Sequence, residues 1–272
     1  MNVIEILKAV FLGVVEGITE WLPISSTGHL ILVDQFLKLN ESDGFKELFF
    51  VVIQLGAILA VIVFYWKKLW PFSNQGKLHI EKDTASLWMK ILVACIPAAV
   101  IGLLLDDPID ALFYNYQTVS FTLVLYGILF IIIENHHKDS TAKIRDVNQM
   151  NYKTALFIGL FQVLALIPGT SRSGATIIGA MLLGTSRVAA TEFTFYLAIP
   201  VMFGASLLKM LKYGLPGTSL EITVLLVGTL VAFLVSLLAI RFLTVYIKRH
   251  NFKVFGWYRI VLGIIVILTF LF

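Results

Sequence analysis

Apolar residues run along this chain in blocks, several of them close to the roughly 20 residues that cross a hydrocarbon core of about 30 Å. Clear examples are Phe49–Trp66, Ile91–Leu105, Ile222–Ile240 and Ile260–Phe272. The pattern predicts an interrupted segment over 2–38, then spans at 46–66, 87–105 and 119–134. After a basic loop over 135–153 it predicts a second interrupted segment over 154–184 and spans at 191–210, 222–244 and 257–272. Basic residues also fill 67–86, while Asp106, Asp107 and Asp110 mark an acidic loop behind the second span. The expected fold is an all-α polytopic membrane protein, one domain over 1–272 with six transmembrane helices.

Composition agrees with that class. Only 14% of the 272 residues are charged and 58% are hydrophobic, whereas ordinary soluble domains carry about 25% charge. Mean hydropathy is +0.89. The net charge of +4 calls for no nucleic acid, because basic residues of membrane proteins gather in cytoplasmic loops. A lone cysteine, Cys95, rules out an intrachain disulfide. Glu5, Lys8 and Glu16 interrupt the first apolar run, so it does not read as a plain secretory signal.

The two interrupted segments match each other. "GVVEGITEWLPISSTGHLIL" (Gly13–Leu32) aligns under "GLFQVLALIPGTSRSGATII" (Gly159–Ile178), placing Glu16 on Gln162 and Gly28 on Gly174. Pro23 meets Pro168 after a one-residue slip, and "KELFFVVIQ" (Lys46–Gln54) answers "TEFTFYLAI" (Thr191–Ile199), pairing Glu47 with Glu192. The chain therefore reads as two related halves, 1–134 and 154–272. In each interrupted segment the arm after the break, Gly28–Leu39 or Gly174–Gly184, is too short to span. A re-entrant helical hairpin is the economical reading, since irregular backbone at membrane depth survives only where protein or a wet cavity covers it.

With three spans per half, the second half starts on the opposite side of the membrane, which makes the halves inverted repeats. Twelve Lys and Arg then fall in the loops 67–86, 135–153, 185–190 and 245–256, against Lys38, Lys46, Lys209 and Lys212 on the other side. That bias puts the basic side in the cytoplasm and both termini outside.

The breaks concentrate polar chemistry. "PISSTGH" starts a helix whose free N–H groups and positive dipole end face inward, with Ser25, Ser26 and Thr27 adding hydroxyls. "PGTSRSGAT" (Pro168–Thr176) repeats the device with Gly169, Ser171, Ser173 and Thr176 and adds Arg172. Two such tips meeting at mid-depth make an anion site, and the planar guanidinium suits phosphate oxygens. Glu16 and Glu20 stand four apart on one helical face. They either hold a divalent cation, Mg²⁺ or Ca²⁺, or form a structural triad with Arg172. Ser26 and His29, three apart, suit a hydroxyl nucleophile beside an imidazole, or an imidazole that activates water.

These motifs resemble the undecaprenyl-diphosphate phosphatase family, bacterial membrane enzymes associated with bacitracin resistance. Its two signatures stand here unsubstituted over Glu16–Glu20 and Pro168–Thr176, and the likeness extends over essentially the whole length. The resemblance implies hydrolysis of undecaprenyl diphosphate to the monophosphate, the carrier of cell-wall precursors. It further implies divalent-metal dependence and a site in the cytoplasmic (inner) membrane that opens to the outer face. On that reading Arg172 clamps the diphosphate with Ser25, Thr27, Ser171, Ser173, Thr176, Gly169 and the helix N-termini, and Glu16 and Glu20 hold the metal. Ser26 or a water attacks, with His29 moving the proton and Glu20 also catalytic. Oligomeric state stays open, a homodimer among the options. A type-2 phosphatidic acid phosphatase is excluded, because its histidine and aspartate fall on Ile178 and Leu182. The alternative is a transporter or flippase for a polyprenyl phosphate, built on the same mid-membrane anion site.

Overall fold

The computed structural model describes residues 3–73, 79–137, 141–214 and 216–271. Helices dominate it. The first broken segment is α1 (Val3–Thr19) and α2 (Ser26–Phe36), followed by α3 (Asp43–Phe64) and the single turn α4 (Trp66–Leu69). Next come α5 (Lys82–Phe113), α6 (Tyr116–His136), the second broken segment α7 (Tyr152–Val163) and α8 (Arg172–Leu182), then α9 (Arg187–Tyr213), α10 (Ser219–Tyr246) and α11 (Lys253–Leu271). Among the described residues six helices are long and apolar enough to cross a membrane, namely α3, α5, α6, α9, α10 and α11. Residue 2, Lys77, Lys138 and Phe272 of the expected segments and basic loops lie outside the described residues.

Helix starts coincide with capping residues. Ser42, Asn115, Asn151, Ser186 and Thr218 each accept a backbone N–H with the side-chain oxygen at the head of α3, α6, α7, α9 and α10, satisfying donors a helix leaves orphaned. Two loop expectations change. The stretch holding Asp106, Asp107 and Asp110 is not a loop but the last turns of α5, whose 32 residues make about 48 Å of helix, longer than the hydrocarbon core. The basic stretch 67–86 holds most of α4 and a two-residue antiparallel ladder in which Phe72 faces Ile80.

Packing follows a swap. α1 lies along α10, and its counterpart α7 lies along α5. Likewise α3 packs on α10 and α9 on α5, α2 touches α11 and α8 touches α6, while α6 and α11 form the most extensive pair. Glycines let the backbones close at matching places. A Cβ on Gly13 would sit 2.6 Å from the Gly228 carbonyl, and one on Gly159, 146 residues later, 2.2 Å from that of Ala94. The outer surface is apolar, with Phe121, Leu238 and Leu211 exposed by 65%, 69% and 74%, whereas Glu16, Glu20, Ser173 and Arg259 are buried. A protein turned to water would not show so large an apolar face.

Backbone contact between α3 and α10 is tightest at Gly56, where a Cβ would meet the Thr229 carbonyl at 2.2 Å. Gly56→Val is expected to cost about 1–3 kcal/mol through overpacking, read as a lower unfolding midpoint in detergent. Gly204→Ala, with nothing within 4 Å, should hold or gain about 0.5–1 kcal/mol. Equal midpoints for both variants would contradict this packing.

Candidate active site

Both breaks close with the same local device. Ser25 (φ 71) and Ser171 (φ 69), 146 residues apart, are the two non-glycine residues at positive φ among the described residues. Each caps the helix that follows it, Ser25 Oγ accepting from Gly28 N and Ser171 Oγ from Gly174 N, both at 3.2 Å. Backbone held in such a region costs about 1–3 kcal/mol and persists where its surroundings over-determine it. Here the cap bonds on one side and the proline turns on the other do so.

The tips are joined through Glu20, which follows α1. Its Oε1 accepts from Arg172 Nη2 at 3.0 Å, and its Oε2 accepts from the Ser26 hydroxyl at 2.8 Å. Arg172, the first residue of α8, also donates from Nη1 to the Thr194 carbonyl of α9 at 3.0 Å and lies 5.8 Å from the Trp21 ring centre. Ser173 Oγ donates to the Glu20 carbonyl at 3.2 Å. Arginine from one break, carboxylate and hydroxyl from the other, thus form one hydrogen-bonded unit.

That unit borders a cavity of about 150 Å³, room enough for water and small polar groups. Glu20, Ser25, Ser26 and Thr27 line one wall and Pro168, Gly169, Ser171 and Arg172 the other, with Gln54 of α3 and Met202 of α9 adding to the rim. Of the expected residues, Ser25, Ser26, Thr27, Glu20, Gly169, Ser171 and Arg172 therefore converge. Ser173 and Thr176 are buried behind the wall instead. Thr176 Oγ1 donates within α8 to Arg172 O and accepts from Thr194 Oγ1 at 2.9 Å, because that face of α8 turns toward α9.

His29 is not brought to Ser26. Its Nδ1 lies 2.7 Å from the Ser25 carbonyl and its Nε2 2.8 Å from the Tyr258 hydroxyl. A carbonyl only accepts, so a neutral imidazole carries its hydrogen on Nδ1 and accepts a hydrogen bond from the Tyr258 hydroxyl at Nε2. The i, i+3 spacing of Ser26 and His29 puts both on α2, but the imidazole turns toward α11.

Glu16 is fully buried, off the cavity wall, and neither carboxylate oxygen has a hydrogen-bond partner. It lies near enough to Glu20 and Arg172 to interact with both charges. Among the described residues no group of three or more His, Cys, Asp or Glu could hold a metal ion. The described residues thus form no protein-only cage, but a hard cation bound by one or two carboxylates and the oxygens of a phosphate needs none. The orphaned Glu16 oxygens beside Glu20 fit that mode.

Four residues here escape motif reading: Gln54, Thr194, Tyr258 and Arg259. Arg259 is completely buried on α11 and donates to three carbonyls, Pro23 O at 3.3 Å, Gly169 O at 2.8 Å and Thr170 O at 2.9 Å. A charge inside an apolar run was the available signal, as was an amide at Gln54.

Six membrane-length helices around a polar cavity at two helix breaks define a polytopic membrane protein. The chain belongs to the family described as Bacitracin resistance protein BacA, whose model matches residues 9–265. It is 62% identical over 272 residues to Undecaprenyl-diphosphatase 1 of Clostridium acetobutylicum, covering 100% of this chain and 99% of that protein. Similarity to Undecaprenyl-diphosphatase of Desulfitobacterium hafniense is 60% over 271 residues, 99% of this chain and 98% of the relative. An Undecaprenyl-diphosphatase of Enterococcus faecalis is 61% identical over 270 residues, 98% of each chain.

Gly169 tests the tip geometry. Its φ is +84 and a Cβ would fall 2.2 Å from Thr122 Oγ1. Gly169→Ala is expected to cost about 1–3 kcal/mol or more from strain and overlap together, again read as the unfolding midpoint. An unchanged midpoint would contradict the placement.

Proposed function

We propose that this protein hydrolyses undecaprenyl diphosphate to undecaprenyl phosphate and inorganic phosphate, recycling the cell-wall carrier lipid, and that it does so at the cavity between the two breaks. One observation carries the site: a single carboxylate, Glu20, accepts both the Ser26 hydroxyl and the Arg172 guanidinium. The names of the relatives carry the substrate.

The residues divide the chemistry as follows. Arg172, the α2 and α8 N-termini and the hydroxyls of Ser25, Thr27 and Ser171 neutralise the diphosphate, the main requirement of phosphoryl transfer. Ser26 Oγ attacks the terminal phosphorus in line, Glu20 takes its proton, and the bridging P–O bond breaks toward the lipid. Glu20 then passes that proton to the departing lipid monophosphate. In the second half, water attacks the phosphoserine, Glu20 accepts the water proton and returns it to Ser26 Oγ as inorganic phosphate leaves. His29 acts as a positioning residue, holding the strained Ser25 through its carbonyl. A divalent cation, Mg²⁺ or Ca²⁺, would be held by Glu20 and Glu16 together with phosphate oxygens and would supply further charge neutralisation when bound.

The membrane arrangement proposed with this activity has α1–α2 and α7–α8 as re-entrant hairpins of two inverted repeats, 1–134 and 154–272. Supporting it are the matched strained serines and glycines 146 residues apart and the exchange of helix partners between halves. The bias of Lys and Arg toward one set of loops supports both termini outside. The site then opens to the outer face of a bacterial cytoplasmic membrane, where the polyprenyl diphosphate would enter from the bilayer.

Purified protein with an isoprenyl diphosphate and Mg²⁺ should release phosphate, and chelator should suppress that release. Arg172→Ala and Ser26→Ala should each lower it by about 10²–10⁴-fold, the range for a lost charge-stabilising or proton-transfer group. Thr176→Val, behind the wall, should stay within about threefold of the parent. Lipid moving between leaflets of proteoliposomes without phosphate release would instead establish the transporter.

A further inference from the structure

The buried cation on α11 has no place in the steps above. Among the described residues no carboxylate pairs with Arg259, and the Tyr126 ring lies 5.7 Å from its guanidinium carbon. A buried charge met only by carbonyls, with its Nε left unpartnered, is costly to keep where apolar packing would do. Its acceptors are specific. Nη1 takes Pro23 O from the first break and Nη2 takes Gly169 O from the second. Pro23 and Gly169 are 146 residues apart, the separation of the two strained serines. One planar fork therefore grips corresponding carbonyls of both tips.

We infer that Arg259 is a positioning residue for the proposed phosphoryl transfer, tying the two tips together through Pro23 O and Gly169 O and turning the Thr170 carbonyl away from the cavity so that the Ser171 amide faces the phosphate. In a planar trans peptide the C=O and the following N–H point in opposite directions. With Thr170 O held on Arg259 at 2.9 Å, the Ser171 N–H points away from Arg259, and Ser171 lines the cavity. The fork thereby aims a backbone donor at a developing phosphate charge and keeps carbonyl dipoles from opposing it. Such preorganisation acts on the transition state more than on substrate binding. Lysine keeps the charge but has no rigid fork to span both tips.

This inference rests on the phosphatase reading, and the full-length protein in detergent tests the two separately. Phosphate release from a polyprenyl diphosphate is measured for the parent and Arg259→Lys, with the unfolding midpoint as a control. The expected result for Arg259→Lys is a fall in kcat of about 100-fold per folded molecule, with KM within about threefold. A kcat within about threefold of the parent, or a change in KM alone, overturns the role. Should Arg259→Lys not fold, Tyr126→Leu decides by removing the ring beneath the guanidinium. A drop in kcat of about tenfold at constant KM supports the role, and an unchanged kcat overturns it. A parent protein that releases no phosphate defeats the phosphatase reading itself, an outcome distinct from an active parent matched by Arg259→Lys.

Discussion

The carboxylate of Glu20 is the point on which the interior of this protein turns. An arginine in a membrane interior is tolerated when an opposite charge and hydrogen-bond acceptors meet it, because lipid offers neither. Arg172 finds them in Glu20 and in the Thr194 carbonyl. Truncating either partner strands the other in a low-dielectric setting, where unpaired charge costs most. The same bond that makes the charge tolerable also ties the two halves of the chain together, and it leaves one carboxylate oxygen for the Ser26 hydroxyl. Stability and proposed chemistry thus share one group.

The fold can be understood as the means of holding that group in place. The chain breaks between α1 and α2 and between α7 and α8, so the first turns of α2 and α8 start inside the protein, where Ser26 and Ser173 are buried. Long helices from the opposite half close around each break through glycine contacts that admit no side chain. The breaks themselves are strained at Ser25 and Ser171, and their carbonyls are collected by Arg259. The result is a polar interior inside an apolar exterior, the arrangement a bilayer demands of a polytopic protein.

Much of this was legible in the sequence for a physical reason: charge and hydroxyl groups in apolar stretches need an explanation, and Glu16, Glu20, Ser26 and Arg172 supplied the pattern. The six long helices follow from apolar length alone. What failed to show was direction. Ser173, Thr176 and His29 share the motifs, yet a one-dimensional spacing does not say which face of α8 or α2 meets the cavity, and tertiary partners on α9 and α11 decide it. The acidic stretch after the second span read as a loop because charge was taken for the end of a helix, whereas α5 continues beyond the apolar length. Arg259 went unnoticed because it stands near the start of its apolar run, where a basic residue ordinarily marks the membrane edge.

Capture of the covalent intermediate tests most directly whether Glu20 prepares Ser26 as the nucleophile. Protein mixed with a terminally labelled polyprenyl diphosphate would be quenched within a turnover and its peptides mapped. The account predicts transient label on Ser26, absent from Ser26→Ala and strongly reduced in Glu20→Gln. Single-turnover release of phosphate from the parent protein with no label on Ser26 at any time would contradict it.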